Sequence, residues 1–276
     1  MCWPRSSGRH GPTRSGSSRR RTRWRGCGTG SRHGWDGGGR TGSSCSTAGG
    51  ALDSSRSRLG PLQRELLQAL RPVSRRFYVS GGAALGGFHL GHRFSVDIDL
   101  FVRTSEDLRI VGGEVERACA AAGWRCEIRQ DAPGFRRYAV EDAHGGQTLV
   151  DVVLDTTEPV EPDKREVDGI RVDGLPDLVV NKLCALLGRS SVKDLVDLCF
   201  LARAGIDPVA WIERARAKDG GMDPAVLARV AAETDVDPSP LVLVEPVTEA
   251  ELRAFRDELV NRLLRLTWPG PRSETT

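Results

Sequence analysis

Residues 78–101 read YVSGGAALGGFHLGHRFSVDIDLF and contain the features that decide the fold. The stretch opens within a short run of aromatic and β-branched residues, which predicts a strand over 76–80. Gly81 and Gly82 follow at once, and the small residues after them predict a helix. The closing letters VDIDLF alternate between apolar and acidic side chains, which predicts a second strand with one apolar face.

The periodicity on both sides of this stretch predicts a sheet followed by helices. In chain order, the predicted elements are a helix over 64–70, strands over 76–80 and 96–102, a helix over 104–122, strands over 124–129, 135–141 and 148–155, and, after residue 175, helices with apolar stripes over 179–187 and 192–200 and further helices over about 208–217, 224–232 and 249–266. The predicted fold class is therefore α+β, with a mixed αβ sheet domain over about 60–174 and a helical domain over about 175–268.

The first 58 residues differ in composition from the rest of the chain. Residues 1–58 hold 12 Arg, 2 Asp, many Gly and Ser, and no Val, Ile, Phe or Tyr, so we expect this segment to be disordered. Three interpretations are open: a basic tail that attracts RNA phosphates, a transit peptide, or upstream sequence translated from an early start. We favour the mis-assigned start, because the segment shows no periodicity and the excess of Arg over Lys is typical of a GC-rich genome.

The net negative charge of residues 59–276 argues against a basic nucleic-acid-binding domain. The whole chain carries +3 and residues 1–58 carry +10, which leaves −7 for the remainder. No apolar run is long enough for a transmembrane helix and no secretory signal is recognised, so we expect no membrane partner. The seven cysteines include no C-x-x-C pair, which indicates reduced thiols and a cytoplasmic protein.

Two carboxylates on the second strand are the sharpest chemical feature. Asp97 and Asp99 are two residues apart, so they point to the same face about 7 Å apart, while Val96, Ile98 and Leu100 are expected to face the core. Such carboxylates repel each other and are costly to bury unless a cation lies between them, and their oxygens suit Mg²⁺. The alternative is an edge strand whose acidic face is solvated.

Two further features favour the metal interpretation. Asp151 lies between valines in an apolar strand, and three carboxylates converge if that strand lies beside the strand of Asp97 and Asp99. Such a set can hold the ions of a two-metal site. Upstream, Gly81 and Gly82 form a turn before a helix, where a phosphate group is favoured, and a simple tight turn is the alternative.

These residues together resemble the polymerase-beta-like nucleotidyltransferase superfamily, whose pattern is a hydrophobic residue, a glycine pair and an acid-x-acid strand. More narrowly, residues 78–101 resemble the AbiEii/AbiGii toxin family. Residues 168–201, DGIRVDGLPDLVVNKLCALLGRSSVKDLVDLCFL, are similar to that family's later Asp, Lys, Arg and K-D-x-x-D-L segment. The two motifs in this order are more specific than either one alone.

The resemblance implies the superfamily's fold and the transfer of a nucleoside monophosphate from an NTP to an acceptor hydroxyl, with pyrophosphate leaving. It implies Mg²⁺ or Mn²⁺ as cofactor, tRNA or another RNA as acceptor, and a toxin of a toxin–antitoxin or phage-defence system, with a winged-helix regulator as the antitoxin. By the same resemblance, Asp97, Asp99 and Asp151 bind the metals, and Asp151 also helps to deprotonate the acceptor. Gly81 and Gly82 would hold the triphosphate.

Further residues are candidates for nucleotide contacts. The candidates are Ser80, Arg93, Lys182, Arg189, Lys193 and Asp194. Lys182 is expected at the rim of its helix's apolar stripe, from where it could reach a β- or γ-phosphate, and a snorkelling surface lysine is the alternative. A structural role is equally open for three of these residues. Arg189 could be a charge at a helix C-terminus, Lys193 could form an exposed pair with Asp197, and Asp194 could complete a helix cap.

One departure from the family pattern concerns the residue after the two glycines. The family usually has Thr there and this chain has Ala83, so a hydroxyl that could bond a phosphate is missing. Ser80 is the candidate substitute, although it precedes the glycines. Weak activity or a different acceptor would follow from this departure.

Three functions are open on the sequence. The first is a nucleotidyltransferase toxin acting on RNA, and the second is the same chemistry on a small molecule or a protein hydroxyl. The third is a non-catalytic NTP- or RNA-binding protein, against which the retained acids and Lys182 argue. The sequence does not identify the NTP, since base choice depends on a pocket that no motif locates.

Overall fold

The structure, a computed structural model, describes residues 58–267. The predictions for residues 1–57, including the disorder expected there, lie outside the described residues. The described residues belong to one compact unit. None of their helices is long and apolar enough to cross a membrane.

The order of helices and strands confirms the α+β prediction and adds two short strands. The elements are α1 (Pro61–Ala69), a 3₁₀ helix (Arg71–Arg76), β1 (Phe77–Ser80), α2 (Gly81–Ala84), a π-helical turn (Leu85–His89), β2 (Asp97–Val102), α3 (Ser105–Ala122), β3 (Arg125–Ala132), β4 (Phe135–Glu141), β5 (Gln147–Leu154), β6 (Arg165–Val167), β7 (Ile170–Val172), α4 (Leu175–Arg189), α5 (Val192–Arg203), a second 3₁₀ helix (Pro208–Trp211), α6 (Ile212–Lys218), α7 (Pro224–Glu233) and α8 (Glu249–Thr267).

The seven strands form one mixed sheet in the order β3-β4-β5-β2-β1-β7-β6. β2 pairs in parallel with β5, and β1 pairs in parallel with β7, whereas the other neighbours are antiparallel. The two strands absent from the prediction, β6 and β7, have three residues each, which is too short for a periodic pattern. Asp168 and Gly169 connect them at positive φ, and the hairpin places Asp173 beside β1.

One face of the sheet carries the core and the other carries the acids. Ile98 and Leu100 on β2 are fully buried together with their valine neighbours on β5, and α1 and α3 pack over this face. The predicted alternation is therefore confirmed for these two residues. The expectation for Val96 is wrong: its side chain is 75% exposed, because the strand begins only at Asp97.

The helices that follow the sheet bring one helix end to the acidic face. α4 begins after Gly174 with Pro176 in its first turn, as the sequence predicts. Ser190 ends α4 in a left-handed conformation, φ 48°, and the chain reverses into α5. α5 packs along α4, and Lys193 in its first turn reaches Asp97 on β2.

Candidate active site

A polar row crosses the sheet at the level of Asp99. This residue is paired in register with Ser80 on β1 and with Asp151 on β5, and Asp151 is paired in turn with Arg137 on β4. Residues opposite each other on adjacent strands point to the same face. Asp97, Asp99 and Asp151, called the three acids below, therefore converge on one face, which is the arrangement that the sequence predicts.

Gly81 and Gly82, the glycine turn, bring the main chain directly onto this row. Gly81 has a left-handed φ of 62°, and a Cβ there would overlap Oδ2 of Asp99. A Cβ on Gly82 would lie 2.7 Å from Oγ of Ser95 and 2.8 Å from Nη2 of Arg93. Both positions lack room for a side chain, so close packing against the acidic face requires glycine at each.

The surroundings of Asp99 do not balance a negative charge on its carboxyl group. Burial, followed by the charges of Asp97 and Asp151, raises the pKa of Asp99 from 3.8 to about 7. Lys182 and Arg189 act in the opposite direction without cancelling this effect. A positive charge beside Asp99 would relieve the repulsion, which is the electrostatic condition for a cation site.

Asp97 is better compensated than Asp99. Its Oδ1 accepts a hydrogen bond of 2.9 Å from Oγ of Ser95, and its Oδ2 lies 3.4 Å from Nζ of Lys193. Burial would raise the pKa of Asp97, but Lys193, Ser95 and Lys182 outweigh burial and lower the pKa below its ordinary value. Asp97 is therefore ionised at neutral pH.

Asp151 is held by an arginine that the sequence analysis did not single out. Nε of Arg137 donates to Oδ1 of Asp151 at 2.7 Å, and Nη2 donates to Oδ2 at 2.6 Å. Asp151 is 1% exposed, so this bidentate pair neutralises a carboxylate that would be costly to bury alone. Arg136 and Arg137 are adjacent on β4, and the register with β5 identifies which of them faces the acids.

Ser80 does not offer its hydroxyl to the glycine turn. Its Oγ donates to Oδ2 of Asp173 at 2.6 Å and accepts from Nδ2 of Asn181 at 3.1 Å. The side chain is fully buried and engaged by these two partners, and the nucleotide contact of Ser80 stays a prediction. The sequence did not identify Asp173 as a partner, because the hairpin that positions it was not predicted.

Lys182 is buried rather than placed at the rim of α4. Its side chain is 4% exposed, and Nζ lies 2.6 Å from Oδ2 of Asp197 and 3.0 Å from Oδ1 of Asp194. The predicted rim and the snorkelling alternative are both wrong, because α5 packs over this flank and supplies the two carboxylates. Burial opposes the charged form, but Asp197 and Asp194 outweigh it and raise the pKa of Lys182.

Asp197 is the centre of this buried cluster. It accepts from Nε and Nη2 of Arg93, both at 2.7 Å, and lies 2.8 Å from Nε2 of His92. Arg93 is 4% exposed and forms an internal ion pair with Asp197, and the nucleotide contact predicted for it stays a prediction. The predicted surface pair of Asp197 with Lys193 is also wrong, since Asp197 points inwards and Lys193 reaches Asp97.

Arg189 and Asp194 form the outer part of the cluster. Nε and Nη2 of Arg189 donate to the two oxygens of Asp194 at 2.6 Å and 2.8 Å. Asp194 is fully buried and no side chain caps the start of α5, so the helix-cap alternative is wrong, whereas the nucleotide contact stays a prediction. Arg189 and Lys193 are 30% and 31% exposed, so these two predicted contacts face the solvent near the three acids.

The three acids fit a divalent cation in their chemistry. All the donors are carboxylate oxygens, which Mg²⁺ and Mn²⁺ prefer. Within residues 58–267, however, no three acidic, His or Cys side chains are already arranged so as to hold a metal ion. The bidentate pair of Asp151 with Arg137 is a visible difference from a metal shell, because it engages both oxygens of one acid.

A family model described as nucleotidyl transferase AbiEii toxin, type IV toxin–antitoxin system, matches residues 65–274. The chain belongs to this family. The resemblance seen in residues 78–101 and 168–201 is thereby confirmed, and the protein is a nucleotidyltransferase of the toxin–antitoxin kind. The matched range includes the three acids, the glycine turn and the helices from α4 to α8.

Two solved structures from Helicobacter pylori are similar to this chain. JHP933 has a TM-score of 0.49 and 21% identity, over 75% of this chain and 92% of that chain. A second protein, provisionally assigned as a nucleotidyltransferase, has a TM-score of 0.48 and 22% identity, over 74% of this chain and 94% of that chain. Similarities at this level carry no argument about function. No curated protein matches the chain.

Proposed function

We propose that this protein transfers a nucleoside monophosphate from an NTP to the 3′ end of tRNA, in a reaction that depends on Mg²⁺ or Mn²⁺. The family supplies the class of reaction. The observation that carries the assignment of residues is the row in which Asp99 and Asp151 face each other on parallel strands, beside Asp97 and the glycine turn. The three acids would hold the divalent cation, which when bound would neutralise the phosphate charge.

The donor NTP is assigned to the β1–β2 side of the row. The main chain of the glycine turn lies against Asp99 on this side. Lys193 and Arg189 bring positive charge to the same side, and both are partly exposed. Cationic side chains form their strongest hydrogen bonds with groups such as phosphate, so this pair suits the triphosphate.

The acceptor is assigned to the β5-β4-β3 side. A groove on the acidic face begins at Val96 beside Asp97 and crosses these strands, with Leu149 in its floor and Arg125 and Arg129 near its outer end. Glu127 and Glu141 also line the groove and pair with the two arginines. We propose that the apolar floor gives the bases of a single-stranded nucleic acid a stacking surface, and that Arg125 and Arg129 turn from these glutamates to its phosphates. An RNA 3′ end has both groups.

In the proposed reaction, the acceptor oxygen forms a bond to the α-phosphorus of the NTP. The bond between that phosphorus and the oxygen bridging to the β-phosphate breaks, and pyrophosphate leaves with the electron pair. Asp151 takes the proton of the acceptor hydroxyl. Because Asp99 and Asp151 are neighbours across the row, donor and acceptor are brought together on one rigid sheet, which lowers the entropic part of the barrier.

The other parts of the proposal follow from the family and from the fold. A cognate antitoxin, a winged-helix regulator, would restrain the enzyme, and phage defence in the cytoplasm is the biological setting that we propose. We assign residues 60–174 as the domain that carries the three acids. Residues 175–268 would form the helical domain that supplies Lys193 and Arg189.

The test uses the full-length protein with Mg²⁺, each α-labelled NTP in turn and total tRNA. The variants are Asp97→Ala and, as a matched control, Asp131→Ala, whose carboxylate is exposed and pairs with Arg136 on the same sheet. We expect label in tRNA with one NTP, its loss on chelation of the metal, a drop of about a hundredfold or more in Asp97→Ala, and no change in Asp131→Ala. The NTP that labels tRNA would identify the base.

Two other outcomes would change the proposal. Label on a small molecule or a protein in place of tRNA would retain the transferase and replace the acceptor. A folded protein without metal-dependent turnover on any acceptor would contradict the proposal. In that case Ala83→Thr, which restores the hydroxyl typical of the family, would be the first variant to assay.

A further inference from the structure

Arg137 pairs with the most buried of the three acids. Asp151 is almost completely buried, and the guanidinium of Arg137 engages both of its oxygens, at 2.7 Å and 2.6 Å. Arg137 itself remains 31% exposed. The pair therefore joins a carboxylate that cannot move far, because it sits inside the sheet, to a cation whose side chain has solvent on one side.

We propose that Arg137 is an exchangeable counter-ion: a divalent cation displaces it from Asp151, and the released guanidinium then binds a phosphate of the acceptor. This inference rests on the proposed function, because it assumes that Asp151 is one of the metal ligands. Each oxygen that accepts a charged hydrogen bond from Arg137 is less available for a metal, so arginine and metal compete for the same carboxylate.

The position of Arg137 across the sheet indicates where the released side chain would act. The glycine turn follows β1, and β4 lies on the far side of β5 and β2 from it. Arg137 is therefore remote from the donor side of the row and adjacent to the groove lined by Arg125 and Arg129. The planar fork that fits a carboxylate also fits a phosphate, so Arg137 could exchange one for the other without a new kind of contact.

A permanent structural salt bridge is the alternative, and it makes different predictions. A permanent pair would keep Arg137 on Asp151 in every state, so metal and RNA binding would be independent of each other at this residue. An exchangeable counter-ion couples them, because metal binding releases the group that binds RNA. Coupling of this kind is reciprocal and is measured as the change in RNA affinity on adding metal.

The first measurement is Mn²⁺ affinity, read from the electron paramagnetic resonance signal of free Mn²⁺ with the full-length protein and no nucleotide. We expect Arg137→Gln to bind Mn²⁺ about tenfold more tightly than the wild type, because the competing cation is gone. Arg137→Lys keeps the charge without the fork and should lie between the two. Arg136→Gln is the matched control and should match the wild type, since Arg136 pairs with Asp131 on the opposite face. Unchanged or weaker binding by Arg137→Gln would overturn the inference.

The second measurement is tRNA affinity at fixed salt, with and without Mn²⁺. We expect Mn²⁺ to strengthen tRNA binding by the wild type and by Arg136→Gln, and to do so at least severalfold less for Arg137→Gln. Equal strengthening in all three proteins would refute the release of Arg137 onto the acceptor. Thermal unfolding shows whether each variant is folded, and Arg137→Lys serves in both measurements if Arg137→Gln is not.

Asp151→Asn separates failure of this inference from failure of the proposed function. If Asp151→Asn binds Mn²⁺ as the wild type does, the metal is not held at Asp151, and the metal assignment within the proposed function is wrong together with this inference. If Asp151→Asn weakens Mn²⁺ binding but Arg137→Gln does not strengthen it, the metal assignment stands and only the inference about Arg137 fails.

Discussion

Two groups of buried carboxylates lie side by side in this protein, and they differ in charge balance. One group, called here the cationic cluster, consists of Arg93, Lys182, Arg189, Asp194 and Asp197. Three positive side chains meet two carboxylates there. Among the three acids the proportion is reversed, because only two cations that contact them directly, Arg137 and Lys193, are seen within the described residues.

The consequence appears in the pKa values of Asp197 and Asp99, which shift in opposite directions. Burial opposes ionisation of Asp197, but the charges of Arg93 and Lys182 outweigh it and hold the pKa well below the ordinary value. Asp99 is similarly buried, and its pKa is raised to about 7 because its nearest charged neighbours include two further acids. The buried carboxylate of Asp197 is therefore compensated by neighbouring cations, whereas the buried carboxyl of Asp99 is not.

The difference in charge balance indicates a structural role for the cationic cluster and a cation-binding role for the three acids. The cationic cluster ties α4, α5 and the loop before β2 together, and both of its carboxylates are paired with cations without a ligand. The three acids lie next to it and are contacted by one fewer cation than there are carboxylates. A divalent cation would correct that deficit, so the contrast can be tested by removing one carboxylate from each group and comparing stability.

The largest effect is expected from Asp197→Asn in the cationic cluster. The substitution leaves Arg93 and Lys182 buried with one fewer negative charge, and breaking a buried pair in this way costs about 3–5 kcal/mol. The measurement is the free energy of unfolding in urea. Asp207→Asn is the control, because Asp207 forms a part-exposed pair with Arg262 and should cost less than about 1 kcal/mol. Equal losses in the two variants would show that the cluster is not a scaffold.

The next largest change in the free energy of unfolding is expected from Asp99→Asn, and this substitution should stabilise the metal-free protein rather than destabilise it. The pKa of Asp99 is about 7 in the folded protein against an ordinary value of 3.8, so the folded state keeps a proton that the unfolded state releases. Stability of the metal-free protein therefore falls as pH rises from about 4 to about 7, by up to about 1.4 kcal/mol per pH unit from this group, and stays low above that window.

Asp99→Asn removes that dependence, so the variant should be more stable than the wild type at pH 8 in a chelating buffer and similar to it near pH 4. The measurement is the unfolding free energy of both proteins at the two pH values. Added Mg²⁺ should stabilise the wild type at pH 8 and leave Asp99→Asn nearly unchanged. A variant that is less stable than the metal-free wild type at pH 8 would contradict the view that the acids are under-compensated.

The acidic row was largely predictable from the sequence, because it depends on strand periodicity and on one strand pairing. Alternation places Asp97 and Asp99 on one face, and the valines around Asp151 predict a buried strand. That this strand lies beside β2 was a condition of the prediction, which the pairing of β2 with β5 meets. The glycine turn was predictable for a similar reason, since a glycine pair between a strand and a helix indicates close approach of the main chain. These features depend on neighbours in sequence or on a single strand pairing.

The partners of the cations were not predictable, because they depend on how separate elements pack. The spacing around Lys182 gives its angle on α4 but not the fact that α5 covers that flank with Asp194 and Asp197. Arg137 could not be distinguished from Arg136 without the register of β4 on β5. The partner of Ser80, Asp173, was not predicted because it follows a hairpin of two three-residue strands.

The smallest expected change in the free energy of unfolding is the difference between Gly81→Ala and Gly123→Ala. This difference tests the contact between the glycine turn and Asp99. Both glycines have left-handed φ values, 62° and 69°, so both substitutions incur the backbone penalty of about 1–2 kcal/mol. A Cβ at position 81 would also overlap Oδ2 of Asp99, whereas a Cβ at position 123 would meet nothing within 4 Å. We expect Gly81→Ala to cost about 1 kcal/mol more than Gly123→Ala in unfolding experiments, and to weaken Mn²⁺ binding while Gly123→Ala leaves it unchanged.

Repeating both substitutions in an Asp99→Ala background shows whether the carboxylate of Asp99 causes the additional destabilisation by Gly81→Ala. Without the carboxylate, the Cβ at position 81 no longer has Oδ2 to displace, so the additional cost of Gly81→Ala should disappear while the backbone penalty at both positions remains. If the excess persists without Asp99, the turn is constrained by something other than the acid. The glycine turn would then be a feature of the chain reversal, and its link to the metal-binding face would be lost.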